Sequence, residues 1–293
     1  MRFQFWFYAR LVLMSALLVA SFNAKGFEQD EELIKLGVIS LAPPSKIFKQ
    51  WQPFADYLSE RLNRKVEIVI PRGFKKIKSA IENKEMDIFF INSLIYYRLK
   101  QAGKAVPVAQ MQNIEGSNLS QSVLFVRSDS DIDSLRDLKG KKVAFVSPMG
   151  AGGYLAPRAT FYKQGIKTKT QTQEQFTKNL SSSIHKVLLG DVKVGTMCAI
   201  NYQLMSKRLD MGDLRIIEAS ENYPEGMIGA SPELAKNIRR KIADILIRMY
   251  DDNEGGKILS AMKDMKIKKF IAYDSKVEKL TQSLIKSAEF KIN

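Results

Sequence analysis

The chain has 293 residues, 46 Lys and Arg against 31 Asp and Glu, and an apolar fraction of 45%. That is the make-up of a globular protein of one large domain or two smaller ones, with a core of real size and no disordered character. A single Cys (Cys198) and a single His (His185) exclude an intramolecular disulfide and a Cys or Cys/His zinc cage, and leave no spare His for a Ser-His-Asp site. The net charge of +15 suits nucleic acid or an anionic membrane surface, subject to the compartment in which the protein works.

The compartment is written at the amino end. Arg2 and Arg10 flank an aromatic stretch, and Leu11 to Phe22 is an apolar run broken only by Ser15 and Ser21. This is the length of a signal-peptide core and falls short of the roughly 20 apolar residues that a spanning helix needs. Val19-Ala20-Ser21 and Ala24-Lys25-Gly26 both place small residues suitably for cleavage, so a leader over residues 1–26 and a periplasmic destination are expected. Removing residues 1–24 takes away two Arg and no acid and leaves +13. An exported protein does not meet the nucleoid. The basic surplus is therefore read as solvated helix faces, such as Lys236, Arg239, Arg240 and Lys241, or Lys263, Lys266, Lys268 and Lys269.

After the leader, Leu33 to Ile39 reads as a strand and Ala42-Pro43-Pro44-Ser45 as a turn ending in a helix cap. Ile47, Trp51, Phe54, Leu58 and Leu62 then recur at spacings of three and four, one face of a helix over Lys46 to Leu62. A strand at Val66 to Ile70, a helix at Phe74 to Asn83, a strand at Met86 to Ile91 and a helix from Leu94 to Ala102 continue the alternation. Ser122 to Arg127 is a longer strand. A small helix at Ile132 to Leu138 precedes a second series. It comprises strand Lys142 to Val146, a glycine-rich turn, helix Tyr154 to Gln164, helix Leu180 to Leu189, strand Val192 to Ala199, helix Asn201 to Lys207 and strand Leu214 to Glu218. Met227 to Ala230 reads as a strand returning to the first unit, and helices at Pro232 to Tyr250, Asn253 to Met262 and Ser275 to Ala288 close the chain.

This pattern is α/β, with one unit inserted in another and reached by crossings near residues 123–128 and 224–230. It predicts two lobes, a two-strand hinge and mainly parallel sheets flanked by helices, with residues 27–125 and 226–293 in lobe 1 and 126–225 in lobe 2. Open sheets of that kind bind ligands at the carboxyl ends of their strands, which here face the cleft.

The segment Val143 to Arg158 runs from a strand through Gly150-Ala151-Gly152-Gly153 into a helix. Glycines allow close backbone approach, and the free amides of a first helical turn make an anion seat. No Lys-Ser/Thr follows, so this is not a nucleotide P-loop, and an ordinary strand-to-helix turn is an equal reading of the glycines alone. With its flanks the segment resembles the periplasmic phosphate/phosphite/phosphonate-binding family, whose signature is Pro-x-Ser-Thr-Ser-Gly-aromatic-x-x-Pro. Pro148, Gly153, Tyr154 and Pro157 stand at the matching places. Trp51-x-Pro53-x-Ala55-Asp56-Tyr57-Leu58, Asp87-Ile88-Phe89-Phe90, Asp133-x-Leu135-x-Asp137-Leu138-Lys139-Gly140-Lys141-x-Val143-Ala144-Phe145 and Leu188-x-Gly190-x-Val192 extend the likeness over residues 33–265. The resemblance implies a type II periplasmic-binding-protein fold, an ABC permease as partner, no cofactor, no metal and closure of two lobes on a small solute by a monomer.

The departures are as informative as the matches. The family's Ser-Thr-Ser hydroxyls grip the anion, and here those places are Gly150, Ala151 and Gly152. The family's His falls on Leu180, one acid near Ile200, and the acid of the returning hinge loop near Gly226. The residues left to line a cleft are Ser45, Phe74, Asn92, Ser93, Tyr96, Gly150, Ala151, Gly152, Gly153, Tyr154, Asn179, Ser181, Asn201, Tyr202 and Tyr223. Such aromatic and amide side chains suit a small, partly apolar solute with an anionic end. Each also has a plainer reading, Ser45 and Ser93 as helix caps and any one aromatic as core. His185 is expected on a helix surface, Cys198 as a buried strand thiol, and Asp251-Asp252 and Glu31-Glu32 as solvated or capping acids. The sequence thus points to an exported solute-binding protein without catalysis that serves an ABC importer. The rival is a ligand sensor that presents its closed state to a membrane receptor, and an enzyme of the same fold is a third option that lacks any paired nucleophile and base.

Overall fold

The computed structural model describes residues 33–39, 43–177, 179–262 and 265–291, which form one body from Ile34 onward. The expected leader, residues 1–26, lies outside the described residues. The first half opens with β1 (Ile34–Val38), α1 (Pro44–Leu62), β2 (Val66–Val69), α2 (Phe74–Glu82), β3 (Ile88–Ile91), α3 (Ser93–Gln101) and β4 (Val106–Asn113). The periodic apolar residues of α1 are all buried, with Trp51 stacked 5.1 Å from Phe90 on β3. Pro44 lies in its first turn, where a missing N–H costs nothing, and Asn63 in a left-handed conformation (φ 53°) ends it. Ser45 therefore sits inside the helix, exposed and without a capping bond.

A short ribbon of β5 (Leu119–Ser120) and β11 (Tyr223–Pro224) carries the chain between two sheets, with Tyr223 opposite Ser120. The second sheet is made by β6 (Ser122–Arg127), β7 (Lys142–Phe145), β8 (Gln173–Phe176), β9 (Val194–Cys198) and β10 (Leu214–Ala219). Helices α4 (Ala156–Lys163), α5 (Thr168–Gln171), α6 (Leu180–Leu188) and α7 (Ala199–Ser206) join them. The chain then returns through β12 (Met227–Ala230), α8 (Lys236–Arg248), α9 (Asn253–Ala261), β13 (Ile267–Ile271) and α10 (Lys276–Ser287).

The sheet orders are β13-β4-β12-β3-β1-β2 and β10-β6-β9-β7-β8. β1 pairs in parallel with β2 and β3, and β7 with β8 and β9, while β12, β13 and β6 run antiparallel to their neighbours. Each sheet thus has a parallel core of three strands, β2-β1-β3 and β8-β7-β9, extended by antiparallel pairings, and the fold is the type II periplasmic-binding architecture. All of Ser122–Arg127 lies between β10 and β9, so a lobe boundary at 125/126 cuts through β6 and the crossing falls earlier, at the β5–β11 ribbon.

Besides the two-residue β5 and β11, three strands carried no clear signal. β8 and β13 are sheet edges, and edge strands can hold polar residues such as Gln173 and Glu174, or Lys268 and Lys269. β4 lies inside its sheet, but Pro107, Gln110 and Gln112 interrupt its apolar run. The buried Asn113 at its end is fully used: its amide donates to Leu119 O and Glu225 Oε1 (both 3.1 Å), and its Oδ1 accepts from Glu115 and Ser117 amides.

Candidate functional site: a cleft between the two sheets

Strands β3, β7 and β9 end on a common cavity of about 460 Å³. The first half contributes Ile47 and Gln50 of α1, Phe74 at the start of α2, Phe90, Asn92 and Met111. The second half contributes Ser147, Gly150 to Gly153, Asn179 to Ser181, Cys198, and Asn201, Leu204 and Met205 on α7. Tyr223 to Gly226 of the ribbon, with Met265 and Lys266, close the floor. Placement at carboxyl ends of strands follows from the topology, because each parallel strand must hand the chain to a helix there.

The glycine turn is built as a donor site. Gly150 N–H bonds Ser147 O and Leu155 N–H bonds Gly150 O (both 3.0 Å), opening a wide π-type turn, Ala151–Leu155, that runs straight into α4. The amides from Ala151 to Tyr154 precede the first helical bond and have no helical acceptor. Carbonyls of the turn are fixed from below: Ser122 Oγ donates to Gly152 O, and Thr196 Oγ1 to Gly153 O at 3.3 Å. A Cβ on Gly152 would stand 2.2 Å from the Tyr223 hydroxyl oxygen, so glycine here is a steric requirement. The phenol occupies the space into which the third side chain of the family signature would project.

Of the residues named from sequence, Phe74, Asn92, Gly150, Ala151, Gly152, Gly153, Asn179, Ser181, Asn201 and Tyr223 lie on the cleft wall. Ser45, Ser93, Tyr96, Tyr154 and Tyr202 do not. Ser93 is buried and donates to Pro224 O at 2.8 Å. Tyr96 packs on Tyr273, and Tyr202 on Phe125. Tyr154 packs edge-on against Phe145 and donates its hydroxyl to Glu174 at 2.9 Å. Burial and that carboxylate hold the Tyr154 phenol well above its ordinary pKa. These aromatics point away from the cleft because each lies on a helix or turn face that meets a sheet. His185 is exposed, and Asp252 is the N-cap of α9, accepting from Gly255 N–H at 2.7 Å.

The floor was missed. Cys198 is the buried strand thiol expected, ending β9 at the N-cap position of α7, but it also reaches the cleft wall, where its Sγ accepts from Lys266 Nζ at 3.3 Å. Ser120 Oγ lies 3.5 Å from the same sulfur. Lys266 is not on a solvated helix face. It sits in the turn ahead of β13, half-buried, in a left-handed conformation (φ 67°). Glu225, one place before the position of the family's missing acid, is buried on the cleft floor and held by Asn113. Ile200, where another family acid falls, is buried and off the wall. Only Glu225 had a signal in the sequence, its Pro-Glu-Gly setting in the returning loop.

Asn92 bridges the halves. Its Oδ1 caps α3 by accepting from Ile95 N–H (3.0 Å), and its Nδ2 donates across the cleft edge to Met149 O (3.1 Å). Asn92→Ala, which loses both bonds, is expected to lower the unfolding free energy by about 1 kcal/mol in urea melts, and Asn92→Ser, which keeps a cap, by a few tenths. Equal losses would show that the Met149 bond, not the cap, carries the effect.

Two mixed sheets with parallel cores, joined by an antiparallel ribbon around a cleft, define a type II periplasmic binding fold. The sequence profile of the family "ABC transporter, phosphonate, periplasmic substrate-binding protein" matches residues 36–277, and the chain belongs to that family. It is 28% identical over 226 residues to the phosphonates-binding periplasmic protein of Escherichia coli, covering 75% of this chain and 67% of that one. The structure is similar to that of PhnD1 from Prochlorococcus marinus in complex with methylphosphonate, with a TM-score of 0.74 at 18% identity over 88% of this chain and 99% of the other. A 146-residue stretch is 23% identical to the tetrathionate sensor histidine kinase TtrS of Salmonella typhimurium, covering 48% of this chain and 25% of the kinase.

Proposed function

We propose that the protein, exported by the leader over residues 1–26, closes as a monomer on a small solute bearing an oxyanion and delivers it to an ABC permease. The observation that carries this is the glycine turn: amides of Ala151, Gly152 and Gly153 open a helix directly into the cleft, where the helix dipole favours negative charge. Phe74, Phe90 and Met111 opposite supply an apolar wall for the rest of the solute, and the Asn201 amide a polar contact. Ligand bridging both halves favours the closed state by its greater affinity for that state, and the permease engages the closed form.

The test is a thermal-shift series on residues 27–293 with phosphate, phosphite, alkylphosphonates, sulfonates, dicarboxylates and pyrimidines. A solute at a hundred times its dissociation constant adds about 2.7 kcal/mol, a shift of roughly 5 °C or more. A shift with an oxyanion supports the reading; shifts confined to uncharged pyrimidines would sink it. The likeness to the sensor kinase favours a second reading, in which the closed protein signals to a membrane receptor. Deleting the gene separates the two: uptake of the shifting solute falls if the protein imports, and only the transcriptional response is lost if it senses.

A further inference from the structure

Replacement of the signature's hydroxyls by Gly150, Ala151 and Gly152 leaves the turn with backbone donors alone, which bind an anion without testing its full charge. The cleft floor holds a group that can. We infer that Lys266 reads the solute's charge: its ammonium, steadied by Cys198 and set beside the Tyr223 hydroxyl, grips the oxyanion seated on the helix amides. The inference rests on the proposed solute-binding role and assigns its selectivity.

Three cations reach the cleft wall, and they differ in setting. Lys46 and Arg208 are exposed at the rim, whereas Lys266 is half-buried on the floor. Charges at the rim are screened by salt; one on the floor acts at short range in a drier medium. Among the described residues the hydrogen-bond partner of Lys266 Nζ is Cys198 Sγ at 3.3 Å, a weak acceptor that leaves donors of a three-donor group unused. The nearby buried acid, Glu225, is engaged by Asn113. Burial acts to lower the pKa of Lys266, but Cys198 and Glu225 outweigh it and hold the value above the ordinary one, so the group is an ammonium throughout the physiological range.

Lys266 adopts φ 67°, a conformation that glycine takes without strain. Tyr223 supplies the missing hydroxyl: it lies against Gly152 where the signature's third side chain would project, and burial, followed by Cys198 and Glu225, pushes its pKa well up, so that it stays a donor. Lys266 meets Cys198, Cys198 and Ser120 are the partners of the Tyr223 hydroxyl, and that hydroxyl lies against Gly152, so lysine and phenol border the glycine turn.

The test measures binding to residues 27–293 by calorimetry, with phosphate, methylphosphonate, methanesulfonate and 2-aminoethylphosphonate as probes. The expected result is oxyanion binding by the wild type. Lys266→Met should weaken oxyanion binding about 10- to 100-fold, the range for loss of a charged hydrogen bond, while Lys46→Gln changes it less than about 3-fold. Lys266→Gly separates a ligand role from a structural one. It relieves the strained φ, so the melting temperature without solute should hold or rise while binding is lost. Wild-type binding kept within about 3-fold in Lys266→Met or Lys266→Gly overturns the assignment of Lys266 and leaves the oxyanion cleft standing. Wild-type protein that binds none of the four overturns the oxyanion reading of the cleft itself, and the assignment with it.

Discussion

Gly152→Ser, which restores the family's hydroxyl at the third place of its signature, is expected to abolish oxyanion binding here. A Cβ at Gly152 would lie 2.2 Å from the Tyr223 hydroxyl oxygen and 2.4 Å from Cζ. The phenol cannot swing aside, since Tyr223 is buried in the cluster that also holds Leu94, Ala151 and Cys198, and its backbone is paired with Ser120. Either the turn moves, which breaks the Ser122 and Thr196 bonds to its carbonyls, or the hinge ribbon does. Overpacking of this kind costs about 1 to 3 kcal/mol in stability, and a shift of an ångström at the donor amides removes the aligned geometry on which binding depends. Trimming the phenol supplies the control. Tyr223→Ala with Gly152→Ser should cost less stability than the sum of the two single substitutions, a coupling measurable in a double-mutant cycle of urea melts. If the two substitutions prove additive, the two side chains do not compete for the same space.

That pair also shows why the family's motif could be read from sequence and its altered site could not. The periodic stripe of α1, the alternation of strands and helices and the register of Pro148, Gly153, Tyr154 and Pro157 are local patterns, and each specifies an element on its own. The compensation is not local: Tyr223 meets Gly152 only because β11 pairs with β5, a contact that the 70 residues between them do not announce. Lys266 was lost among Lys263, Lys268 and Lys269 because a run of lysines looks like a solvated helix face. In the fold, Lys268 and Lys269 belong to an edge strand and Lys266 to the turn before it. The aromatics failed in the opposite sense. Tyr154 and Tyr202 sit beside the wall residues Gly153 and Asn201 in sequence, but one step along a helix turns a side chain by about 100°, enough to send it into the core.

Arg158→Met should lower the unfolding free energy by about 3 kcal/mol although it lies outside the cleft. Arg158 is 2% exposed and every arm of its guanidinium is engaged. Nε donates to Ala288 O, Nη1 to the Tyr154 hydroxyl and Nη2 to the Tyr162 hydroxyl, all at 2.8 Å, and Nη2 also reaches Glu289 O at 3.4 Å. The ring of Tyr162 lies 4.8 Å from the guanidinium carbon and that of Phe290 5.8 Å. Methionine fills much of the volume but offers no donor, so buried carbonyls at the end of α10 are left unsatisfied. That end matters to both halves. Leu284, Ile285 and Ala288 pack in one cluster with Leu94 and Tyr97 of α3 and with Leu155 and Ala159 beside the glycine turn. The arginine therefore ties the C-terminal helix, α3 and the anion-binding turn into one unit. Arg158→Lys should recover little, because an ammonium cannot serve three divergent acceptors in the plane that the guanidinium fork spans. If Arg158→Met and removal of residues 276–293 destabilise additively in urea melts, Arg158 acts independently of the tail; the bonds to Ala288 and Glu289 require that the double change cost less than the sum.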